Sequence, residues 1–499
     1  MLNTVRGGRN SRRLLDEAGP HRYTRVPMTA TASRRLTGPD LTETLPTPSP
    51  AGPIGDGHAI RMPPARRLPK LVQTLRFVAN PLGASLSARR DLGDVWQIEL
   101  LSRHEPFVIT SHPDHVKSLM TAGPQDAPSL TGESPLRPIV GPNSVLTSVG
   151  ELHMRQRKLL LPPFHGEAVQ RYVEVISAAA AHEIDRWPVG KPFALAPRMQ
   201  AVTLDVIMGG VFGIGSAPVR GSAEFRLRET IRRLLGASTS PLYQLLELRN
   251  AGRTQARGLL RVLIDIVDRR LYAVIAARRA SAAATAAGTD ILSLLLEARD
   301  EDGRLLTDEE LRDELLTLVL AGHETTANSL AWTCERLVRT PDAYDRLREH
   351  VRADDDVDAH VDATIHEGMR VRPVVPLIVR MVKRRWRLGE YVVAAGTPVA
   401  VNIVALHHRE DVYPEPLQFR PERFLGHKPG TYTWIPFGGG IRRCLGATLA
   451  MAEQRVVLRE IARRTDLVAT DPAPERARQR NVTMIPRNGG RVVVQRTFA

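Results

Sequence analysis

Only two of the 499 residues are cysteine, Cys334 and Cys444. That count excludes a disulfide framework and fits a reducing compartment. Lysine is scarce, at 6 of the 69 basic residues, which points to a GC-rich genome rather than to a function. No apolar run reaches the roughly 18–20 residues needed to span a bilayer. The N-terminus has no continuous apolar core of secretory type. The expectation is a cytoplasmic protein without a transmembrane anchor.

What is present is ordinary for a globular chain: 42% hydrophobic and 25% charged residues. The net charge of +15 is unevenly spread, because residues 1–70 hold 12 Arg/Lys against 5 Asp/Glu. This segment is rich in Pro, Gly, Thr and Arg without sustained periodicity, so residues 1–61 read as a disordered basic extension. A solvated tail is favoured over a nucleic-acid or membrane contact, and Met28 is a second candidate start. Deletion to Ile60 should then be harmless. One large domain is expected over 62–499. Its pattern is mostly helical from Glu151 to about Thr340, with short strands near 94–110 and after Arg372, and a long loop over 121–147. This is a mainly α chain with small β-sheets.

The segment Phe437-Gly-Gly-Gly-Ile-Arg-Arg-Cys-Leu-Gly446 places Cys444 in a glycine-rich loop that opens into a helical pattern from Ala447 to Arg463. A helix N-terminus and nearby cations such as Arg442 lower a thiol pKa, and glycines let the backbone approach a flat ligand. Thr307-Asp-Glu-Glu310 has the form of a capping box, so a helix should start there and run to Thr340, about 50 Å. Leu315–Ala321 is apolar on almost every face, which marks a buried helix. Gly322-His-Glu-Thr-Thr326 follows directly, and such polar groups within a core helix mark function. The plain alternative is a kink with hydroxyls bonded one turn back. Glu367 and Arg370 share a helix face, as do His153 and Arg157. Cys334, in a helical run, reads as a buried thiol.

The loop has the form F-x-x-G-x-R-x-C-x-G and resembles the haem-binding loop of the cytochrome P-450 family. Ala321-Gly-His-Glu-Thr-Thr326 is similar to that family's A-G-x-[DE]-T-[ST] signature. Glu367-Gly-Met-Arg370 matches E-x-x-R, Phe419-Arg-Pro-Glu-Arg-Phe424 matches F-x-P-x-R-F, and His153-Met-Arg-Gln-Arg157 matches H-x-x-x-R. The resemblance runs from about residue 62 to 495. It implies the cytochrome P-450 fold and a cofactor of haem (heme b, iron protoporphyrin IX) with Cys444 as iron ligand. Glu324 and Thr325 would direct protons to dioxygen, with Gly322 opening a groove for it and Ala321 beside it counted among the cofactor-binding residues. His153, Arg157, Arg380 and Arg442 would hold the propionates, and Phe437 and Gly446 belong to the cofactor loop. Glu367, Arg370 and Arg423 would form a structural charge network. His323 falls on a variable position.

The implied activity is a monooxygenase, an oxidoreductase acting on paired donors with incorporation of molecular oxygen into a hydrophobic small molecule. Electrons would come from NAD(P)H through a ferredoxin- or flavodoxin-type donor and its reductase, since no flavin or iron–sulfur motif is present. A peroxide-using or isomerising haem-thiolate enzyme is the alternative, against which the Glu324–Thr325 pair argues. A haem sensor without turnover is a further one. Loop 121–147, the region 214–260 and Val374–Ile378 are expected to shape the substrate site.

Overall fold

Thr307 begins the helix around which the other elements are arranged. Its hydroxyl accepts from the Glu310 N–H at 3.2 Å, and the Glu310 carboxylate accepts from the Thr307 N–H at 2.9 Å, closing the expected capping box. The computed structural model describes residues 46–101, 105–164, 166–215, 218–237, 240–250, 253–282 and 290–498. Of the extension expected over residues 1–61, residues 1–45 lie outside them. The described residues form one compact unit.

The helices that frame the site are, in chain order, α1 (Lys70–Ala79), α2 (Gly150–Leu160), α3 (Leu195–Phe212), α4 (Pro241–Asn250), α5 (Asp308–Leu337), α6 (Pro341–Ala353), α7 (Val357–Val371) and α8 (Ala447–Arg464). Pro341 occupies the first turn of α6, where a missing N–H costs nothing. The apolar run on α5 is buried as its pattern requires: Leu315, Leu316 and Val319 are 0–1% exposed. They share the main core with Met199 and Val202 of α3 and with Val457, Leu458 and Ile461 of α8. Each such side chain stabilises the fold by about 1.5–3 kcal/mol relative to exposure.

Short strands form separate small sheets. β2 (Val95–Ile98), β3 (Phe107–Thr110), β8 (Pro398–Asn402) and β5 (Leu377–Met381) make one of four strands, in which β3 and β8 run parallel. β4 (Phe193–Ala194), β12 (Arg491–Thr497) and β9 (Thr465–Ala469) make another. A hairpin of β10 (Ala477–Arg480) and β11 (Thr483–Pro486) stands by itself. Loop 121–147 contains two short helical turns, Leu130–Glu133 and Arg137–Val140.

The third sheet corrects the domain boundary. β1 (Ala51–Pro53) pairs antiparallel with β6 (Trp386–Leu388), which continues to β7 (Tyr391–Val393). Ser49 reinforces this, its N–H donating to Asp114 Oδ2 at 2.8 Å while its hydroxyl meets His115 Nε2 at 2.9 Å. Residues 46–61, assigned from sequence to the extension, therefore belong to the folded unit. Three residues of Ala-Gly-Pro carry no strand signal, and the partner strand supplies the conformation.

Candidate functional site

Cys444 lies just before α8, in a loop closed by its own backbone. The Cys444 N–H donates to Phe437 O at 2.9 Å, Gly438 to Ile435 O at 3.0 Å and Arg443 to Gly440 O at 3.1 Å. Gly440 has a φ of 62°, and a Cβ there would stand 1.9 Å from the Met120 carbonyl oxygen. Only glycine satisfies both constraints. Gly446, the N-cap of α8, differs: its φ is −80° and a Cβ would meet nothing within 4 Å. The protein itself does not require glycine there, and the open space suits a flat group.

Cys444 keeps accessible surface, yet the protein around it removes enough water to raise its thiol pKa. Burial is the largest influence, and the Gly446 N–H, Arg443 and Arg157 oppose it less strongly. The expectation of a lowered pKa is thus corrected. The helix-end donor and the cations are present, but desolvation outweighs them. The cations acting on the sulfur are Arg443 and Arg157, not Arg442. A metal cation in place of the proton reverses the balance, because a thiolate ligand is deprotonated by the bond it makes.

Beside the loop, four cationic or basic side chains meet, with no carboxylate as hydrogen-bond partner among the described residues. His153 on α2 is 2% exposed, and its pKa falls to about 4 through burial and then through Arg442, Arg157 and Arg380. Arg380 on β5 is 5% exposed, and burial lowers it to about 10. Its nearest side-chain partner is Met120 Sδ at 3.7 Å from Nη2. Arg442 is likewise lowered to about 10 by burial, then by Arg380 and Arg157, and among the described residues donates to the carbonyls of Val145 and Ser148. Arg157 donates to Arg443 O at 2.8 Å. Three guanidinium groups whose pKa burial lowers, Arg442 further through Arg380 and Arg157, with carbonyls as their hydrogen-bonding oxygens, form a site for an anion with more than one charge. That chemistry fits the two propionates of haem.

On α5, Ala321 is exposed in the middle of a mostly buried stretch, and Gly322 and Thr325 are half-buried. The missing side chain of Gly322 faces Ile207 of α3, whose Cδ1 would lie 3.1 Å from an added Cβ. Glycine here also lets α5 and α3 approach closely. The Thr325 hydroxyl donates to Ala321 O at 2.6 Å, the one-turn-back bond expected of a mid-helix threonine. The helix nevertheless runs on to Leu337. Glu324 is held from the β10–β11 hairpin: Oε1 accepts from Arg480 Nε at 3.0 Å, Arg480 Nη2 at 2.7 Å and Thr483 Oγ1 at 2.8 Å. All three contacts fall on Oε1, leaving Oε2 without a partner among the described residues. His323 is buried, and burial followed by Arg480 lowers its pKa to about 4.

Glu367 and Arg370 on α7 are both fully buried and joined by two hydrogen bonds of 2.6 and 2.8 Å. Glu367 also accepts from the Arg420 N–H at 2.8 Å, and Arg370 donates to the carbonyls of His407, Pro416 and Gln418. Arg423 is the looser third member, with Nε 3.4 Å from Glu367 but outside hydrogen-bond geometry, and Nη2 bonded to Glu415 O. Sequence reasoning missed how α5 is tied to the segment before α2. Asp313 and Glu314 accept from the N–H groups of Asn143 and Val145 at 3.0 and 2.7 Å. In the sequence those acids look like an ordinary solvated face.

The family model described as cytochrome P-450 matches residues 62–490. The chain belongs to the cytochrome P-450 family. A Mycobacterium tuberculosis protein provisionally named cytochrome P-450 135B1 is 38% identical over 442 residues, covering 87% of this chain and 92% of that protein. A second from the same organism, provisionally cytochrome P-450 137, is 40% identical over 408 residues, 81% of this chain and 83% of the relative. A solved structure described as retinoic acid bound cyanobacterial CYP120A1 superposes with a TM-score of 0.72 at 22% identity, over 88% of this chain and 100% of that one. It shares the mainly helical P-450 fold. Membership carries haem, cysteine thiolate ligation and monooxygenase chemistry in general terms. Among the described residues, no helix is long and apolar enough to cross a membrane.

Proposed function

We propose that this P-450 inserts one oxygen atom from O2 into a hydrophobic organic substrate, using haem b held by Cys444. The observation that carries the reading is the set of three arginines and His153 without a carboxylate, beside a cysteine that is accessible yet surrounded by protein. When bound, a haem with an axial thiolate supplies reductive activation of dioxygen. His153, Arg157, Arg380 and Arg442 would bind its propionates. Phe437, Cys444 and Gly446 would form the proximal cradle, and Ala321 and Gly322 would lie on the distal helix.

Glu324 and Thr325 would hold and hand on protons. The open Oε2 of Glu324 can carry a proton while Oε1 stays anchored by Arg480 and Thr483. Thr325 must exchange its bond to Ala321 O for one directed at dioxygen. Glu367, Arg370 and Arg423 would be structural, fixing the chain that leads into the cysteine loop. Electrons would arrive from NAD(P)H through a separate ferredoxin- or flavodoxin-type donor and its reductase. The reading places the enzyme in the cytoplasm, where two unpaired thiols fit a reducing compartment. Loop 121–147, residues 214–260 and Val374–Ile378 would select the substrate. The test is Cys444→Ser. The wild type, reduced and exposed to carbon monoxide, should give the long-wavelength Soret band of thiolate ligation, and the variant should not. An imidazole-type spectrum in the wild type would sink the assignment.

A further inference from the structure

The buried charge pair of α7 and the cysteine loop meet at one side chain to which the proposed chemistry gives no role. His407 is the last residue of a short helix, Ile403–His407, that follows β8, and it is fully buried. Asn402 fixes that helix at its start, its side chain accepting from the Ala405 N–H at 2.9 Å. The His407 carbonyl accepts from Arg370 Nη1 at 2.8 Å. Its ring reaches the other way, and Nε2 lies 2.9 Å from the backbone nitrogen of Ile435. The Ile435 carbonyl accepts from the Gly438 N–H at 3.0 Å, and the Phe437 carbonyl from the Cys444 N–H at 2.9 Å. On the residue before, Trp434 Nε1 donates to the His366 carbonyl of α7 at 3.1 Å. We propose that His407 is a positioning residue for the iron ligand: its ring accepts the Ile435 N–H, so that the Glu367–Arg370 pair holds the base of the cysteine loop. This rests on the reading of Cys444 given above.

The chemistry of this contact fixes the state of the ring. A backbone N–H only donates, so Nε2 must present a lone pair, and the one hydrogen of a neutral imidazole then sits on Nδ1. That Nδ1 is buried and makes no hydrogen bond among the described residues. Burial, followed by the charge of Arg370, lowers the ring's pKa to about 3, with the backbone of Arg370 and Met369 opposing. The surroundings therefore favour the neutral ring that the geometry demands. No other acceptor meets the Ile435 N–H among the described residues. An apolar replacement for His407 would leave that N–H unpaired in a dry place. Only an opened loop lets water reach it, so the replacement favours opening. Opening carries the sulfur away from the position that α8 and the loop's own hydrogen bonds define.

The experiment compares holoenzymes of wild type, His407→Leu and His407→Gln. Leucine fills the space without an acceptor, whereas the glutamine side-chain oxygen can take the N–H. The first readout is the reduced carbonyl form in dilute urea, whose long-wavelength Soret band decays as thiolate ligation is lost. Decay should be about tenfold faster in His407→Leu, and His407→Gln should restore most of the difference. The second is hydrogen exchange, which involves no iron chemistry: the Ile435 amide should be slow in wild type and His407→Gln and fast in His407→Leu. The third reads the unmodified protein. In nitrogen-15 spectra of histidine-labelled, diamagnetic carbonyl-bound enzyme, the resonances missing from His407→Gln should belong to an Nδ1–H tautomer. Should His407→Leu fail to take up haem, the tautomer and the Ile435 amide in His407→Gln still decide. An Nε2–H tautomer overturns the proposal, as does an Ile435 amide equally slow in His407→Leu, or a His407→Gln band that decays as fast as that of His407→Leu. An imidazole-type carbonyl spectrum in the wild type removes the Cys444 reading but leaves the tautomer and the amide protection standing. A thiolate-type spectrum with a fast Ile435 amide in the wild type removes the role of His407 alone.

Discussion

Replacing Glu367 by glutamine tests whether the buried charge cluster stabilises the fold through its ion pair or through the carbonyls it gathers. In Glu367→Gln one oxygen becomes an amide NH2, which must face a donor: Arg370 Nε on one side, or Arg370 Nη2 and the Arg420 N–H on the other. The Arg370 charge stays buried with its carboxylate gone, which costs about 3–5 kcal/mol. Arg370→Met should cost more. It strands Glu367 and also orphans the carbonyls of His407, Pro416 and Gln418, at about 1–3 kcal/mol each. The double variant Glu367→Leu/Arg370→Met removes both charges and keeps the carbonyl loss, together with the loss of the Arg420 N–H bond and of the carboxylate beside Arg423, so with no stranded Glu367 charge it should fall below Arg370→Met in severity. A unit of this size has an unfolding entropy of about 1 kcal/mol/K, so each kcal/mol lowers the midpoint by about 1 °C. Glu367→Gln should then melt about 4 °C early, measured by calorimetry at one fixed scan rate. A double variant with the wild-type midpoint would show that the carbonyl bonds contribute nothing and refute the reasoning.

Gly440→Ala should disrupt the cysteine loop, because its Cβ meets the Met120 carbonyl at a positive φ, whereas Gly446→Ala should leave haem-free stability unchanged and weaken haem retention on gel filtration. Arg380→Met should raise the thermal midpoint of the haem-free protein, since it removes a buried cation, and lower haem affinity; a lowered midpoint would count against an anion site. A chain starting at Pro46 should melt as the full chain does, while one starting at Ile60 loses β1 and should melt earlier in the same scan. His115 and His407 are lowered to about 3, and His153 and His323 to about 4, from 6.5, chiefly by burial. They stay neutral in the folded chain while the unfolded chain takes up protons. Their contribution to stability is complete above about 6.5 and is lost as pH falls toward about 3, so urea midpoints should drop over that window.

The long helix α5 was legible because its signals are local: a capping box, an unbroken apolar run and the proline that opens α6. The pairing of Glu367 with Arg370 was legible for the same reason, since three residues on a helix share a face. What escaped the sequence depends on distant neighbours. The direction of the Cys444 pKa follows from how much protein surrounds the sulfur, which no local motif states. The close approach of Ile207 to Gly322 comes from another helix. Glu324 receives its partners from 156 and 159 residues away, on a hairpin with no special composition. β1 exists because Trp386–Leu388 offers an edge to three residues that would not choose an extended shape themselves.

The unequal setting of the two cysteines gives the protein a built-in counter. Cys334 is 2% exposed, and burial pushes its thiol up to about 12, so alkylating reagents should pass it by in the native state. Cys444 is the one accessible thiol among the described residues, and it is the atom that cofactor loading would cap. Slow maleimide labelling of native protein should therefore report the empty fraction of a preparation directly, one label per vacant molecule, without reference to any absorbance of the filled form.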